Sequence, residues 1–375
     1  MDNDREIVWL QSLRGIAALC IVLVHTRFEF AGMGPASQWI ADRLFKPLAL
    51  GVDLFFIISG FIMVVTTVSF DPQYKIRYAI EFAIKRFARV WPMYALVVLV
   101  MYVVQTSHAT ADAPTLAVVI RNLLFVPIDP TEPLYFNMLL PVAWTLCFEC
   151  YFYVVLSTSF LFGRWRWCAI AVWFTGTLLV YPIISGSLNW NVFAQKPVEW
   201  NHYANLVVNP IVWDFIFGML CAALYRSSIT IRSRRLVNGM IGLSGAALLI
   251  EGVLTTASIH GPAGWGLPCF MFVASWVLSE KIQHTAWPAW TVRLGAISYS
   301  LYLTHLLSFR VSYAVLGHLD AQGSVMRAVV TVLLRTAVSI AVASIAYALV
   351  ERPLSRYVRH ALLDIARPFQ GVRVQ

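Results

Sequence analysis

The chain alternates long apolar stretches with short polar ones. The stretch LQSLRGIAALCIVLVHTRF (residues 10–28) sets the pattern: mostly apolar, long enough for one membrane-crossing helix, interrupted early by Arg14 and late by His25. Comparable stretches recur and predict about ten spans, at roughly 8–27, 46–68, 87–106, 142–162, 166–184, 205–226, 236–254, 264–280, 293–315 and 326–350. No internal repeat and no appended soluble segment is visible. The expected fold is therefore an all-α polytopic membrane protein, a single bundle and a single integral-membrane domain over 1–375. The first stretch is not expected to be a signal peptide, because it carries Arg14, lacks a small-residue cleavage site and is followed by many more spans.

Composition strengthens the membrane reading. Hydrophobic residues make up 59% of the chain and charged ones 13%, against about 45–50% apolar residues in soluble domains. The mean hydropathy is +0.70. A net charge of +9 would suggest a nucleic-acid partner in a soluble protein. Here Lys and Arg gather at span ends and in alternate loops, so the bilayer is the expected partner and nucleic acid is not. The second loop carries Lys75, Arg77, Lys85, Arg86 and Arg89, and the fourth Arg164 and Arg166. The sixth carries Arg226, Arg232, Arg234 and Arg235, and the tail Arg352, Arg356, Arg359, Arg367 and Arg373. The third loop has only Arg121, and the seventh, around 255–263, has neither Lys nor Arg. This alternation puts both termini in the cytoplasm; the first loop, with Arg27, Arg43 and Lys46, fits it least well.

A charged group in hydrocarbon costs about 2.5–3.5 kcal/mol on insertion scales, so ionisable residues inside the spans are the first candidates for chemistry. Arg14 and His25 are about three helical turns apart, on nearly one face and roughly 16 Å from each other along the axis. With the N-terminus inside, Arg14 lies near the cytoplasmic boundary and His25 near the external one. The bland alternatives are a snorkelling anchor for Arg14 and an interhelical hydrogen bond for His25. GVDLFFIISGF (51–61) brings Asp53 into the second span at the depth of His25, where a carboxylate can orient the imidazole. Ser59 and Gly60 suit close helix packing.

In KRFARVWPMY (85–94), Arg86 and Arg89 are one turn apart. Guanidinium forks match phosphate oxygens, so with Arg14 the pair suggests a cytoplasmic pocket for a multiply phosphorylated ligand; the charge rule alone is the alternative. WTLCFECYFY (144–153) places Glu149 about two turns from the external end of the fourth span. ISYSLYLTH (297–305) places His305 in mid-span of the ninth. Asp214, Glu251 and Arg310 also fall within or near spans, and interhelical pairing is their default role.

All six cysteines lie in apolar runs and imply no disulfide framework; CFEC lacks a second pair or a nearby histidine, so no metal site is expected. The long loops at 107–141 and 185–204 are rich in Pro, Asn and aromatics, which fits either the lipid interface or a lid that stacks on sugars.

Together these stretches resemble the integral-membrane acyltransferase-3 family. The resemblance rests on Arg14 and His25 with ten residues between them, FFIISGF, the RFAR pair, WTLCFE ending at Glu149, ISYSLYLTH, and VERP at 350–353, in the family's order over almost the whole chain. FFIISGFIM and the lack of an appended esterase-like domain most resemble the bacterial exopolysaccharide O-acetyltransferase branch. CFEC departs from the Ser-Val-Glu-rich segment of more typical members, but Glu149 is kept.

The resemblance implies a ten-helix enzyme of the bacterial inner membrane. It transfers an acyl group, by default acetyl from acetyl-CoA, onto a hydroxyl of a polysaccharide or lipid-linked oligosaccharide, in company with other polysaccharide-assembly proteins. It further implies that His25 is catalytic. In the corresponding mechanism Arg14, Arg86 and Arg89 hold the phosphates of acyl-CoA, and the pantetheine arm spans the distance to His25. Asp53 orients His25 as general base, Glu149 binds the acceptor or supports the histidine, and His305 stabilises the oxyanion. An acyl group passing through His25 or Ser59 is the covalent variant. A transporter or flippase for a lipid-linked sugar is the alternative from another class.

Overall fold

A computed structural model describes residues 7–30, 33–107, 114–126, 128, 137–193, 202–254, 260–283, 285–316 and 324–367. Every regular element among them is helical. The longer helices are α1 (Val8–Thr26), α2 (Gly51–Val65), α3 (Lys75–Thr106), α4 (Trp144–Ser159), α5 (Arg166–Thr175) and α6 (Val212–Arg226). They continue with α7 (Arg234–Leu254), α8 (Gly266–Glu280), α9 (Ala289–Ala296), α10 (Ser298–Leu316), α11 (Val325–Ala346) and α12 (Arg352–Ala366).

Among the described residues, seven helical runs have the length and apolarity to cross a membrane: Val8–Phe30, Pro35–Val65, Pro72–Thr106, Pro141–Ile184, Tyr203–Arg226, Arg234–Leu254 and Val325–Ala366. The other three expected spans take different forms. The segment 166–184 shares the run from Pro141 to Ile184, which is broken at Gly163, a residue at φ +60°. The segment 264–280 becomes α8, apolar but only 15 residues long. The segment 293–315 is divided into α9 and α10, the latter carrying His305 and Arg310 among its apolar residues.

The chain forms two compact units, one of residues Met1–Thr66 with Ile211–Ser344, the other of Thr67–Pro210 with Ile345–Gln375. In the first, α1 packs on α2, α9 and α10, α2 lies along α6, and α8 packs on both α6 and α7. Lipid tails are as apolar as leucine, so helices in a membrane associate through close packing, which small residues permit. The α2–α6 pair meets that condition from both sides: Gly60 faces the Phe215 backbone, and Gly218 faces the backbone of Ile57 and Phe61. The small-residue role expected at 59–60 is therefore filled by Gly60. In α1, a Cβ on Gly15 would lie 2.5 Å from the Thr291 carbonyl oxygen of α9. Ala18, Val22, Leu294, Leu301, Phe309 and Ala343 form an apolar cluster around this contact.

In the second unit α3 has 32 residues, about 48 Å of helix and well beyond the ~30 Å of bilayer hydrocarbon. α4 and α12 pack against it, and the Ser157 hydroxyl of α4 donates to the Ala79 carbonyl of α3 at 2.9 Å. The described part of the long 107–141 segment contains a short helix, Leu116–Leu123, docked on α3. The Tyr94 hydroxyl donates to the Asn122 carbonyl and the Trp91 indole to that of Leu123, both at 2.9 Å. The Asn122 side chain in turn accepts from the Leu139 amide at 2.9 Å. The sugar-stacking lid expected of the two long loops falls in part on 108–113, 127, 129–136 and 194–201, outside the described residues.

Gly218→Ala should lower the thermal midpoint of the detergent-purified protein, since overpacking costs about 1–3 kcal/mol. Gly242→Ala, with open space around its Cα, should not. Equal midpoints would remove the argument that glycines set the α2–α6 spacing.

Candidate active site

Each unit has a polar cluster within its helices. The first joins α1 to α10. His25, half-buried in the last turn of α1, places Nδ1 2.8 Å from the Ile21 carbonyl oxygen. His305, fully buried in α10, places Nδ1 2.7 Å from the Tyr302 carbonyl oxygen and Nε2 3.3 Å from Nδ1 of His25. The two imidazole rings are 5.0 Å apart between centroids.

A carbonyl oxygen can only accept, so each Nδ1 carries a hydrogen. The neutral His305 ring then has its lone pair on Nε2, facing the Nδ1–H of His25. That hydrogen is shared between the Ile21 oxygen and His305, and the lone pair of His25 is left on Nε2, which makes no hydrogen bond among the described residues. Phe309 meets the His305 ring edge-on at 5.8 Å. Behind it the Arg335 guanidinium of α11 lies 5.5 Å from the Phe309 ring and forms an ion pair with Glu29. Arg14, further back on α1, donates to Gln11 at 3.1 Å and to Ser298, the first residue of α10, at 3.2 Å.

Asp53 does not orient His25. It is fully buried at the start of α2, where its Oδ2 lies 2.7 Å from His260 Nδ1 and its Oδ1 accepts from the Gly261 amide at 2.8 Å. The reason is the segment HGPAGWG, which turns tightly between α7 and α8 with Gly261 at φ +79° and brings the imidazole and an amide onto the carboxylate. Gly266 in the same turn has no room for a Cβ, because the side chain of the fully buried Asp214 fills that space. His260 was not singled out from the sequence; the available signal was a lone histidine beside glycines in an otherwise uncharged loop. Ser59 is half-buried, next to the Gly60 contact.

The second cluster lies between α3 and α4. The Arg86 guanidinium sits over the rings of Phe82, at 5.2 Å, and Tyr153, at 5.6 Å. The Tyr153 hydroxyl donates to Glu149, and Arg86 interacts electrostatically with Tyr153, Arg89 and Glu149. The sequence had placed the arginines at one end of the spans and Glu149 towards the other. The structure brings them together because the 16-residue α4 pairs with the N-terminal half of α3, antiparallel to it. Arg89 is exposed and Arg86 half-buried. Tyr153, one turn beyond Glu149, is the member of this cluster that sequence reasoning missed.

Residues 7–347 match the acyltransferase domain of the acyltransferase-3 family. The chain belongs to that family. It is 28% identical over 315 residues to the exopolysaccharide production protein ExoZ of Rhizobium meliloti (strain 1021), covering 82% of this chain and 90% of the relative. It is 22% identical over 373 residues to the acyltransferase MdmB of Streptomyces mycarofaciens, covering 92% and 91%. Protein 2 in the picA locus of Rhizobium radiobacter is 31% identical over 176 residues, 43% of this chain and 82% of the relative. No solved structure matches. As an acyltransferase-3 member the protein is an O-acyltransferase with several membrane-crossing helices, a reading that transport does not share.

Hydrogen bonds to charged groups contribute about 1.5–3 kcal/mol, so Asp53→Asn and His260→Ala should each lower the thermal midpoint. The double variant should be little worse than the worse single one, as for partners in one interaction. Additive losses would mean that the two side chains act separately.

Proposed function

We propose that this acyltransferase moves an acyl group, in the first instance acetyl, from acyl-CoA to a sugar hydroxyl of an exported polysaccharide or its lipid-linked precursor. His25 is the general base and His305 its positioning residue. The observation that carries the reading is the bare Nε2 of His25, in a ring whose other nitrogen is held by Ile21 and His305. The printed name of the Rhizobium meliloti relative, an exopolysaccharide production protein, supports the acceptor class.

The steps follow from that tautomer. Nε2 takes the proton of the sugar hydroxyl as its oxygen attacks the thioester carbonyl. The tetrahedral intermediate collapses with cleavage of the C–S bond, and the leaving sulfur recovers the proton from the imidazolium. While His25 is charged, its Nδ1–H strengthens its bond to the lone pair of His305. Glu149 and Tyr153, with hydrogen-bonding oxygens inside the second unit, are assigned to acceptor hydroxyls. Arg89, exposed one turn from Arg86, is assigned to the donor's phosphates. Arg14, whose fork is held by Gln11 and Ser298, is a further candidate for the same role. With both termini cytoplasmic, as the loop charges indicate, the donor enters from the cytoplasm of the bacterial inner membrane.

The test is base-labile acetate on the cell-surface polysaccharide, read by proton NMR in a deletion strain restored with matched membrane levels of each variant. Wild type should restore the signal and His25→Ala should not, because general-base help is worth about 10²–10⁴-fold. Restoration by His25→Ala would reject the base assignment, and an unchanged deletion strain would reject the acceptor. His305→Gln keeps an acceptor for the Nδ1–H of His25 and should retain more activity than His305→Leu. Equal activity of these two would leave His305 a packing residue.

A further inference from the structure

The arginine-bearing start of α7, the C-terminal end of α8 and the residues just beyond it border an open cavity of about 510 Å³, lined by Arg234, Asn238, Ile241, Trp276, Gln283 and Thr285. Its volume lies within the ~300–1,000 Å³ usual for ligand sites. The lining presents hydrogen-bond donors. The indole nitrogen of Trp276 is shielded from solvent and has no acceptor among the described residues. The same holds for Trp287, whose ring lies 4.7 Å from that of Trp276. Buried donors of this kind cost free energy until an acceptor arrives.

The amides are oriented in the same sense. Gln283 Nε2 donates to Asn238 Oδ1 at 2.8 Å and to Ser279 Oγ at 2.9 Å, so the Asn238 oxygen is engaged and its NH₂ group remains as a donor. Arg234 is exposed at the start of α7, and the neighbouring Arg232 and Arg235 are exposed as well. Lys281 belongs to the architecture instead, since its ammonium is clamped by the carbonyls of Leu224, Ser227 and Ile229. No carboxylate is among the described residues that line the cavity. A ligand that satisfies this wall is an anion with several acceptor oxygens.

The surroundings identify its source. α7 leaves Leu243 75%, Leu249 73% and Ile250 56% exposed, and α8 leaves Met271 52% exposed. In a membrane-crossing helix such surfaces face acyl chains, and tryptophans and arginines at its end stand at headgroup level.

We propose that the α7–α8 cavity binds the phosphodiester headgroup of an anionic phospholipid, with the acyl chains in the bilayer that flanks α7. The phosphate oxygens accept from Arg234 and Asn238, and from the Trp276 indole once its ring turns to uncover the nitrogen. The site is independent of the acyl-transfer reading.

Detergent-purified full-length protein, titrated with dioleoylphosphatidylglycerol or dioleoylphosphatidylcholine, tests it by thermal midpoint and by native mass spectrometry. Wild type should bind the anionic lipid preferentially. Arg234→Gln and Trp276→Phe should each weaken that binding about tenfold, the loss expected for one charge-assisted hydrogen bond. Arg232→Gln, outside the lining, should keep the preference. Equal response to both lipids, or an unchanged preference in Arg234→Gln, would overturn the proposal. Loss of preference in Arg232→Gln would reduce it to diffuse surface charge. Stabilisation by glycerol 3-phosphate or free CoA equal to that by the lipid would replace it with a soluble phosphate ligand.

Discussion

A polar side chain inside hydrocarbon has no water to satisfy it, so a partner must come from another helix or from the backbone. That constraint organises the described part of this protein. His25 and His305 answer it with two carbonyls and with each other. Asp53 answers it with an imidazole and an amide from the turn between α7 and α8. Glu29 and Arg335 answer it as an ion pair, and Glu149 through Tyr153. All of these but the Glu149–Tyr153 bond, which lies within α4, tie two segments together, so residues that look costly in the sequence also fix which helices are neighbours.

The close glycine contacts serve the same end by other means. Gly60 and Gly218 let α2 and α6 approach to backbone distance, and Gly15 lets α1 approach α9. Those approaches hold the start of α2, where Asp53 sits, and the face of α1 within one packed unit. Polar pairing then selects among arrangements that close packing already allows.

Much of this was legible in the sequence, for a physical reason. Apolar length marks helices in a membrane, and a lone Arg, His or Glu within such a length stands out because it is expensive. His25, His305, Asp53 and Glu149 were found that way, and three-dimensional proximity joined the first two. What could not be read was the partner of each. Asp53 seemed matched to His25 by depth, but depth says nothing about azimuth, and the glycine-rich turn at 261–266 supplied a nearer imidazole. Glu149 was assigned to the far end from Arg86 because spans were counted as equal in length; α3 with 32 residues and α4 with 16 pair unevenly. The boundary expected between 162 and 166 is met by the break at Gly163, whereas the division at Ile297 was not read, because hydropathy averages over a break that is a local event in backbone geometry.

The replacement of Asp53 by His305 beside the proposed base alters the chemical argument. In a low-dielectric site a carboxylate in contact with an imidazole favours the imidazolium before any substrate is present, and an imidazolium cannot accept a proton. A neutral imidazole acceptor fixes the tautomer equally well without that bias. His305 can take this role only if its own Nδ1 hydrogen is engaged elsewhere, and the Tyr302 carbonyl engages it. Three successive groups, the Tyr302 carbonyl, His305 and His25, thus pass one orientation along to a single lone pair. The direction of that chain is set by an ordinary helix carbonyl, the one member that cannot reverse its role from acceptor to donor.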